Sequence, residues 1–307
     1  MTSQADSRET STKVVGVKRL REPMPAPLQT RIFTVANQKG GVGKTTTAVN
    51  VAAALSMGGL RTLIIDLDPQ GNASTAFGIP RDELPGMYEV INHEQPLHEV
   101  VIRVNGYPYL ECAPATQSLA NSEVELVSMV AREMRLKKAI SDFLEMRAAA
   151  GERIDYVIID CPPSLGLLTI NALVAAEELL IPIQCEYYSL EGLALLLHTL
   201  TLVREHLNPK IQLSTILLTM FDGRTRLAND VAASVRQHYP KELIDIPIPR
   251  AVRISEAPSY GQTVMTYDPL STGATAYMAI AREIANRGAG ITTSSSIELK
   301  GASLSLI

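Results

Sequence analysis

Between residues 31 and 287, short apolar runs alternate with longer stretches in which apolar positions recur at helical spacing. The short runs are rich in β-branched residues and apolar on both faces, which is typical of strands buried in a parallel sheet. They predict strands over residues 31–36, 61–68, 155–163, 177–184, 211–219 and 243–249. The longer stretches predict helices over residues 43–58, 122–149, 166–177, 189–206, 225–238 and 271–287. This alternation predicts an α/β fold with a doubly wound, mostly parallel sheet flanked by helices.

The two ends of the chain lack this alternation. Residues 1–28 combine Ser, Thr and charged residues with the helix-breaking run REPMPAP, and they predict a disordered N-terminal arm. Residues 288–307 predict a flexible C-terminal tail, which leaves residues 29–287 as the folded domain. Inside this domain, Ser122 and Glu125 have the spacing of a capping box at the start of the second predicted helix.

Composition narrows the class of protein. The chain has 307 residues, 46% of them apolar and 20% charged, and a net charge of −4, which argues against a polybasic nucleic-acid binder. Three cysteines show neither CxxC spacing nor a pattern of metal ligands, so a reducing cytoplasmic compartment is expected. We also expect no membrane span, because no apolar run reaches the roughly 18–20 residues that a bilayer requires.

Residues 37–46, NQKGGVGKTT, lie between the first predicted strand and the first predicted helix. Glycines in this position let backbone N–H groups converge on phosphate oxygens, and the helix N-terminus adds partial positive charge. Lys44 is placed to neutralise phosphate, and the Thr45 hydroxyl is placed to reach Mg²⁺. The loop differs from G-x-x-x-x-G-K-[ST] because Gln38 replaces the first glycine and Lys39 adds a second lysine. The segment predicts a nucleotide-binding loop of unusual form.

Carboxylates follow two of the predicted strands. Asp66 and Asp68 lie in IIDLDPQGN, and Asp160 lies in VIIDCPPS. Ligands of parallel sheets bind beyond the carboxyl ends of the strands, where these side chains should meet the glycine-rich loop. An aspartate in this position commonly anchors the Mg²⁺ of a bound triphosphate.

KGGVGKTT, DLDPQGN and DCPPSLGLLT occur in the order and spacing of one known family. The chain resembles the ParA/Soj chromosome-partitioning ATPases, whose phosphate loop carries a deviant Walker A motif. The resemblance continues through PIQCEYYSLEGL and IPRAVRISEAPSYGQ, so it covers about residues 31–287. It implies a P-loop ATPase domain over residues 29–287, with ATP and Mg²⁺ as cofactors.

The resemblance also implies roles for individual residues. Lys39 matches the signature lysine, which reaches the phosphates held by the other subunit of an ATP-dependent homodimer. Lys39, Lys44 and Asp68 form the implied catalytic set, in which Asp68 positions the attacking water. The implied nucleotide contacts are Lys39, Gly40, Gly41, Val42, Gly43, Lys44, Thr45, Thr46, Pro247 and Pro249. The implied Mg²⁺ site consists of Thr45, Asp68 and Asp160, with Asp66 in support.

A basic region lies toward the C-terminal end of the domain. Residues 209–253 contain seven Lys or Arg against four Asp or Glu, a local charge of +3 in an acidic protein. The resemblance assigns nonspecific contacts with double-stranded DNA to Arg224, Arg253, Arg226 and Arg250. It further implies slow turnover, stimulation by a ParB-like centromere-binding protein, and a cytoplasmic, nucleoid-associated location.

Three alternative functions are weighed against this interpretation. A MinD-like membrane-cycling ATPase would end in a basic amphipathic helix, but the last 20 residues contain one lysine and one glutamate, so we expect no membrane partner. A nitrogenase-type iron protein would need two cluster cysteines per chain. Cys161 follows Asp160 directly, but DCPPS is ordinary in the partition family and burial in a strand explains Cys112, so we expect no iron–sulfur cluster. The third alternative is a nucleic-acid-binding switch in which hydrolysis serves only as a timer. Sequence-specific DNA binding would need a helix-turn-helix domain, for which the roughly 30 residues before the loop are too few, so we expect nonspecific DNA binding.

Overall fold

The computed structural model describes residues 22–80, 84–186 and 189–291. Within these ranges one eight-stranded sheet has the strand order β3-β4-β2-β5-β1-β6-β7-β8. Its strands are β1 Arg31–Val35, β2 Thr62–Asp66, β3 Ile102–Arg103, β4 Leu110–Ala113, β5 Tyr156–Asp160, β6 Glu178–Gln184, β7 Gln212–Thr219 and β8 Leu243–Ile244. Only the pairing of β3 with β4 is antiparallel within this sheet. The predicted fold class is confirmed.

Helices cover both faces of the sheet. They are α1 Lys44–Met57, α2 Asn72–Ala76, α3 Met87–His93, α4 Ser122–Glu125, α5 Arg135–Ala149, α6 Leu167–Ala175, α7 Ser189–His206, α8 Arg226–His238, α9 Val252–Glu256, α10 Val264–Tyr267 and α11 Thr272–Gly288. Alternate strand residues enter two cores, as Leu63 and Ile64 of β2 illustrate. One core includes α5, α6 and α8, and the other includes α1 and α11. This double coverage explains why the strands are apolar on both faces.

The long helix predicted over residues 122–149 is wrong. The segment forms α4, a 3₁₀ turn over Leu126–Ser128 and, after a break, α5. Ala131 in the break has a φ of 51°, which a continuous helix does not allow. The predicted capping box is also wrong, since the Ser122 hydroxyl donates to Asn92 and the Glu125 carboxylate accepts from Tyr88 and Asn92. Tertiary hydrogen bonds therefore replace the local pattern.

The last predicted strand, over residues 243–249, is mostly wrong as well. Only Leu243–Ile244 pairs with β7 as a strand. Beyond it the Ile248 N–H donates to the Leu218 carbonyl at 2.8 Å, and the Phe221 N–H donates to the Ile248 carbonyl at 2.9 Å. Proline has no N–H to donate to a ladder, so Pro247 and Pro249 interrupt the regular pairing.

Part of the predicted N-terminal arm packs on the domain. Met24 is 4% exposed, and its N–H donates to the Gly58 carbonyl at 2.9 Å. The Arg153 guanidinium donates to the Pro27 carbonyl at 2.9 Å. Residues 22–28 are thus attached to the folded domain, although the sequence predicts disorder up to residue 28. The rest of the arm, residues 1–21, and residues 292–307 of the predicted tail lie outside the described residues.

Candidate nucleotide-binding site

The glycine-rich loop connects β1 to α1, as predicted. Gly41 and Gly43 have φ values of 74° and 85°, a left-handed conformation that residues with a Cβ adopt only at a cost. Thr219 of β7 donates its hydroxyl to the Val42 carbonyl at 2.8 Å, and Asn37 donates its amide to the Pro182 carbonyl at 2.8 Å. Two neighbouring strands, β6 and β7, therefore hold the loop in place.

Lys44 occupies the first turn of α1 and is 6% exposed. Its ammonium donates to the Lys39 carbonyl at 3.2 Å. Burial lowers the pKa of Lys44, and the negative charges of Asp160 and Asp68 oppose this effect. An ammonium carries three donors, so the remaining ones are available to phosphate oxygens in the loop.

Two carboxylates meet side by side at the end of the sheet. Asp66 of β2 and Asp160 of β5 are paired in register, and both are fully buried. Asp66 accepts hydrogen bonds from the backbone N–H and the hydroxyl of Ser74 at 2.8 and 2.7 Å. Burial raises the pKa of Asp66 to about 6, and these hydrogen bonds moderate the rise. Ser74 is a partner that the sequence patterns do not single out.

Asp160 has a different environment. Both of its carboxylate oxygens are buried, and no donor among the described residues meets full hydrogen-bond geometry with them, although the Thr45 hydroxyl is near enough to lower the pKa of Asp160. Burial raises the pKa of Asp160 well above its ordinary value, and the charge of Asp66 adds to the effect. A buried carboxylate of this kind is costly unless a cation compensates it. The site therefore has the chemistry to receive a divalent cation.

Mg²⁺ fits this set of donors. It is usually held by one or two carboxylates together with water and phosphate oxygens, rather than by a cage of protein ligands. Within the described residues no three His, Cys, Asp or Glu side chains form a metal-ligand group. Asp160 would hold the ion or its water, and Thr45, next to Lys44 in α1, is placed to offer its hydroxyl. Asp68 is 7% exposed, and its carboxylate accepts the Gln70 N–H at 3.0 Å.

Lys39 is engaged within its own chain. Its ammonium lies 2.6 Å from a carboxylate oxygen of Glu186, and the two side chains are 36% and 45% exposed. Glu186 also accepts the Gln184 side-chain amide at 2.6 Å and lies 4.0 Å from the Arg250 guanidinium. Sequence reasoning did not identify Glu186, because a glutamate just beyond a strand carries no distinctive pattern.

Pro247 and Pro249 lie beside the end of β7, the strand whose Thr219 holds the loop. Pro249 forms an isolated bridge with Phe221, and both prolines are partly exposed. The fold thus brings this segment to the same edge of the sheet as the glycine-rich loop.

The four arginines predicted to contact DNA lie on two adjacent segments. The bridge between Phe221 and Pro249 joins the loop after β7 to the segment before α9. All four arginines are exposed, and each has an acidic partner. The pairs are Arg224 with Asp222 at 2.8 Å, Arg226 with Asp230 at 3.7 Å, Arg250 with Glu186 at 4.0 Å and Arg253 with Glu256 at 3.3 Å. Hydrogen bonds from Arg224 lower the pKa of Asp222 to about 2. To contact DNA phosphates, these arginines would have to leave their carboxylate partners.

The sequence of this chain is similar to one family model and to curated proteins over most of its length. A family model described as an AAA domain matches residues 30–213. The chromosome partitioning protein ParA of Myxococcus xanthus is 48% identical over 84% of this chain and 88% of its own length. The sporulation initiation inhibitor protein Soj of Bacillus subtilis is 45% identical over 84% of this chain and 99% of its own length.

Solved structures share the fold. A structure of cobyrinic acid a,c-diamide synthase from Mycobacterium smegmatis with bound ADP and magnesium has a TM-score of 0.72 and 34% identity, and the match covers 87% of this chain and 100% of that chain. The cell division ATPase MinD of Pyrococcus furiosus has a TM-score of 0.64 at 22% identity, over 83% of this chain and 98% of that chain, and shows the fold alone. No helix in the described residues is long and apolar enough to cross a membrane. The identity to curated partition proteins over most of the sequence shows that this chain belongs to the ParA/Soj family of chromosome-partitioning proteins.

Proposed function

We propose that the protein is a DNA-partitioning ATPase, which binds ATP and Mg²⁺, forms an ATP-sandwich homodimer, holds DNA nonspecifically and hydrolyses ATP to help segregate chromosomes. The observation that carries the nucleotide assignment is the pair of buried Asp160 oxygens, which have no donor at full hydrogen-bond geometry within residues 22–80, 84–186 and 189–291 and face the Thr45 hydroxyl. They lie at the carboxyl end of the sheet, where the positive-φ loop also supplies Lys44. Curated relatives of the ParA and Soj type support the partition role.

The residues of the site act on three parts of the reaction: the phosphates, the metal ion and the attacking water. Lys44 and the loop N–H groups hold the phosphates, since charged donors in a buried site bind anions strongly. Mg²⁺, when bound, neutralises charge on the β- and γ-phosphates. Asp160 and Thr45 orient that ion, and Asp68 accepts a hydrogen bond from the attacking water and turns its lone pair toward the γ-phosphate.

Lys39 would act on the nucleotide of the partner subunit, in the manner of an arginine finger. In the single chain its ammonium is paired with Glu186, so dimerisation has to break that contact. Exposed ion pairs contribute only about 0.2–1 kcal/mol, so Glu186 opposes dimerisation weakly. ATP would supply the stronger attraction, because the two lysines can approach each other only with phosphate between them.

Substitutions at Lys39 and Glu186 should have opposite effects. Lys39→Ala is expected to bind ATP as a monomer without dimerising or hydrolysing it. Glu186→Gln, which keeps an acceptor for Gln184, is expected to dimerise at an ATP concentration up to about fivefold lower than wild type. Light scattering over an ATP titration measures both. Normal dimerisation of Lys39→Ala would remove the trans role of this lysine.

A salt series tests the proposed DNA surface. Each phosphate contact contributes about −0.9 to the slope of log affinity against log salt. Arg253→Ala removes one contact per subunit, so the slope for an ATP dimer should flatten by roughly 1.8, equally on unrelated duplexes. Arg236→Ala is the matched control, since this exposed arginine is also paired with an aspartate but is not assigned to DNA. An unchanged slope for Arg253→Ala, or a loss confined to one duplex, would place DNA on another surface.

The ParB-like partner is proposed from the family alone. It would stimulate hydrolysis and so release the dimer from DNA. Its effect is measured as the ATPase rate of the DNA-bound protein with and without the purified centromere-binding protein.

A further inference from the structure

We propose that residues 252–267, called the Arg253 segment, transmit the nucleotide state to the DNA surface, because they contact α1, which carries Lys44 and Thr45, and the end of α2, whose Ser74 holds Asp66. This inference rests on the proposed function and adds a mechanism of regulation to it. The segment comprises α9, a 3₁₀ turn over Ala257–Tyr260 and α10. Gly261 meets the end of α2, and Val264 is hydrogen-bonded to α1.

The first attachment runs through α2. Ser74 of this helix donates twice to Asp66, so α2 is tied directly to the carboxylate pair at the end of the sheet. Gly78, just beyond α2, meets Gly261 of the Arg253 segment. A Cβ built on Gly261 would lie 3.2 Å from the Gly78 Cα and 3.4 Å from its nitrogen. The two backbones therefore approach each other without an intervening side chain, so a shift of α2 toward Gly261 would press on the segment.

The second attachment runs through α1, which begins at the phosphate loop. Asn50 is buried in this helix, and its side-chain oxygen accepts the Val264 N–H at 3.0 Å. The amide nitrogen of Asn50 donates to the Thr46 carbonyl at 2.7 Å. One side chain thus joins the first turn of the nucleotide helix to the start of α10.

Arg253 precedes both attachments in the chain and lies in α9 of the same segment. Its guanidinium lies 5.7 Å from the centre of the Tyr267 ring, which stacks on Tyr260. It also lies 3.3 Å from Glu256 and 3.7 Å from Asp268. Both carboxylates compete with phosphate for this guanidinium, so a small displacement of the segment changes how freely Arg253 reaches DNA. Nucleotide-dependent movement of α1 and α2 would set that displacement.

Gly261→Ala tests the first attachment. The substitution brings a Cβ against Gly78 at a φ of 62°, whereas Gly151→Ala imposes a comparable backbone cost at a φ of 74° with no atom within 4 Å. The ratio of DNA affinities with and without ATP is measured by anisotropy on a mixed-sequence duplex. We expect this ratio to fall toward 1 in Gly261→Ala and to stay at the wild-type value in Gly151→Ala. Couplings between sites typically amount to roughly 5- to 150-fold, so the loss is measurable.

Asn50→Ala tests the second attachment, and it still tests coupling through the Arg253 segment if Gly261→Ala fails to fold. Its control is Tyr107→Phe, which removes a buried hydrogen bond of 2.7 Å between Tyr107 and Thr263 of the same segment, keeps the ring that packs on Phe77, and leaves the Asn50 and Gly78 contacts in place. We expect Asn50→Ala to bind ATP and dimerise but to lose the ATP-dependent gain in DNA affinity, which Tyr107→Phe keeps. If either test variant folds and keeps the wild-type ratio of DNA affinities with and without ATP, coupling through the Arg253 segment is overturned, while the proposed function is not. A wild-type protein without any ATP-dependent DNA binding overturns the proposed function as well.

Discussion

Lys44→Ala is expected to lower the affinity for ATP by at least about 100-fold. The ammonium has three donors and contacts one carbonyl, so two donors remain for phosphate. Hydrogen bonds to charged groups contribute about 1.5–3 kcal/mol each, and losing two of them exceeds the roughly 2.7 kcal/mol that corresponds to 100-fold. The loop glycines keep their conformation in this variant, because β6 and β7 hold the loop independently of Lys44.

The fold itself should survive this substitution. Burial lowers the pKa of Lys44, which indicates that its ammonium is poorly solvated in the free protein. Truncation removes this unfavourable charge, although it also withdraws a positive charge from Asp160. We therefore expect a melting temperature without ATP close to that of wild type, and no rise when ATP and Mg²⁺ are added.

A fluorescent ATP analogue measures the affinity, and thermal melting measures the shift. Lys210→Ala is the control, because this lysine is 76% exposed and pairs with Glu177 away from the loop. Near-normal affinity in Lys44→Ala would show that the glycine-rich loop does not hold the phosphates in the proposed way.

The sequence alone places the glycine-rich loop and the strand-end aspartates at one edge of the sheet, because the features that place them are local. Gly41 and Gly43 are needed for backbone conformation, and Asp66 and Asp160 directly end apolar strands. Their spacing from these strands is sufficient to place them, since the carboxyl ends of parallel strands meet at one edge.

Other features depend on contacts that cross the chain. The segment over residues 122–134 has a helical pattern, yet Glu123 of α4 instead accepts the N–H groups of Leu167 and Leu168 at the start of α6. Asn171 similarly holds the break before α5, donating to the Arg132 carbonyl and accepting the Leu136 N–H. Local propensity cannot report such partners, which lie more than 30 residues away.

The charge pattern of the sequence does not show which charged side chains are paired in the folded protein. Residues 209–253 have a surplus of positive charge, but each arginine assigned to DNA has a carboxylate partner. The pairs of Arg224, Arg226 and Arg253 are local in sequence and can be guessed from their spacing. The pairing of Lys39 and Arg250 with Glu186 joins three distant segments, and only the folded sheet reveals it.

Substitution of Asp68 is expected to have the second large effect, which falls on ATP turnover rather than on ATP binding. Its side chain lies in the turn between β2 and α2, and its carboxylate accepts the Gln70 N–H. The proposed task of Asp68 is to position the attacking water, and removing such a group typically costs roughly 10²- to 10⁴-fold in rate. Lys44, Asp160 and the loop remain in place, so ATP binding and dimerisation should persist.

We expect Asp68→Ala to hydrolyse ATP at least about 100-fold more slowly than wild type and to stay on DNA longer as a trapped ATP dimer. Asp68→Asn is the matched control for the turn, since its amide oxygen can still accept the Gln70 N–H while lacking the carboxylate charge. If Asp68 acts on water, both variants lose turnover, whereas a purely structural role would leave Asp68→Asn active. Phosphate release measures hydrolysis, and the dissociation rate from immobilised duplex DNA measures trapping. Partner-stimulated hydrolysis near the wild-type rate in Asp68→Ala would assign the positioning of water to another residue of the site.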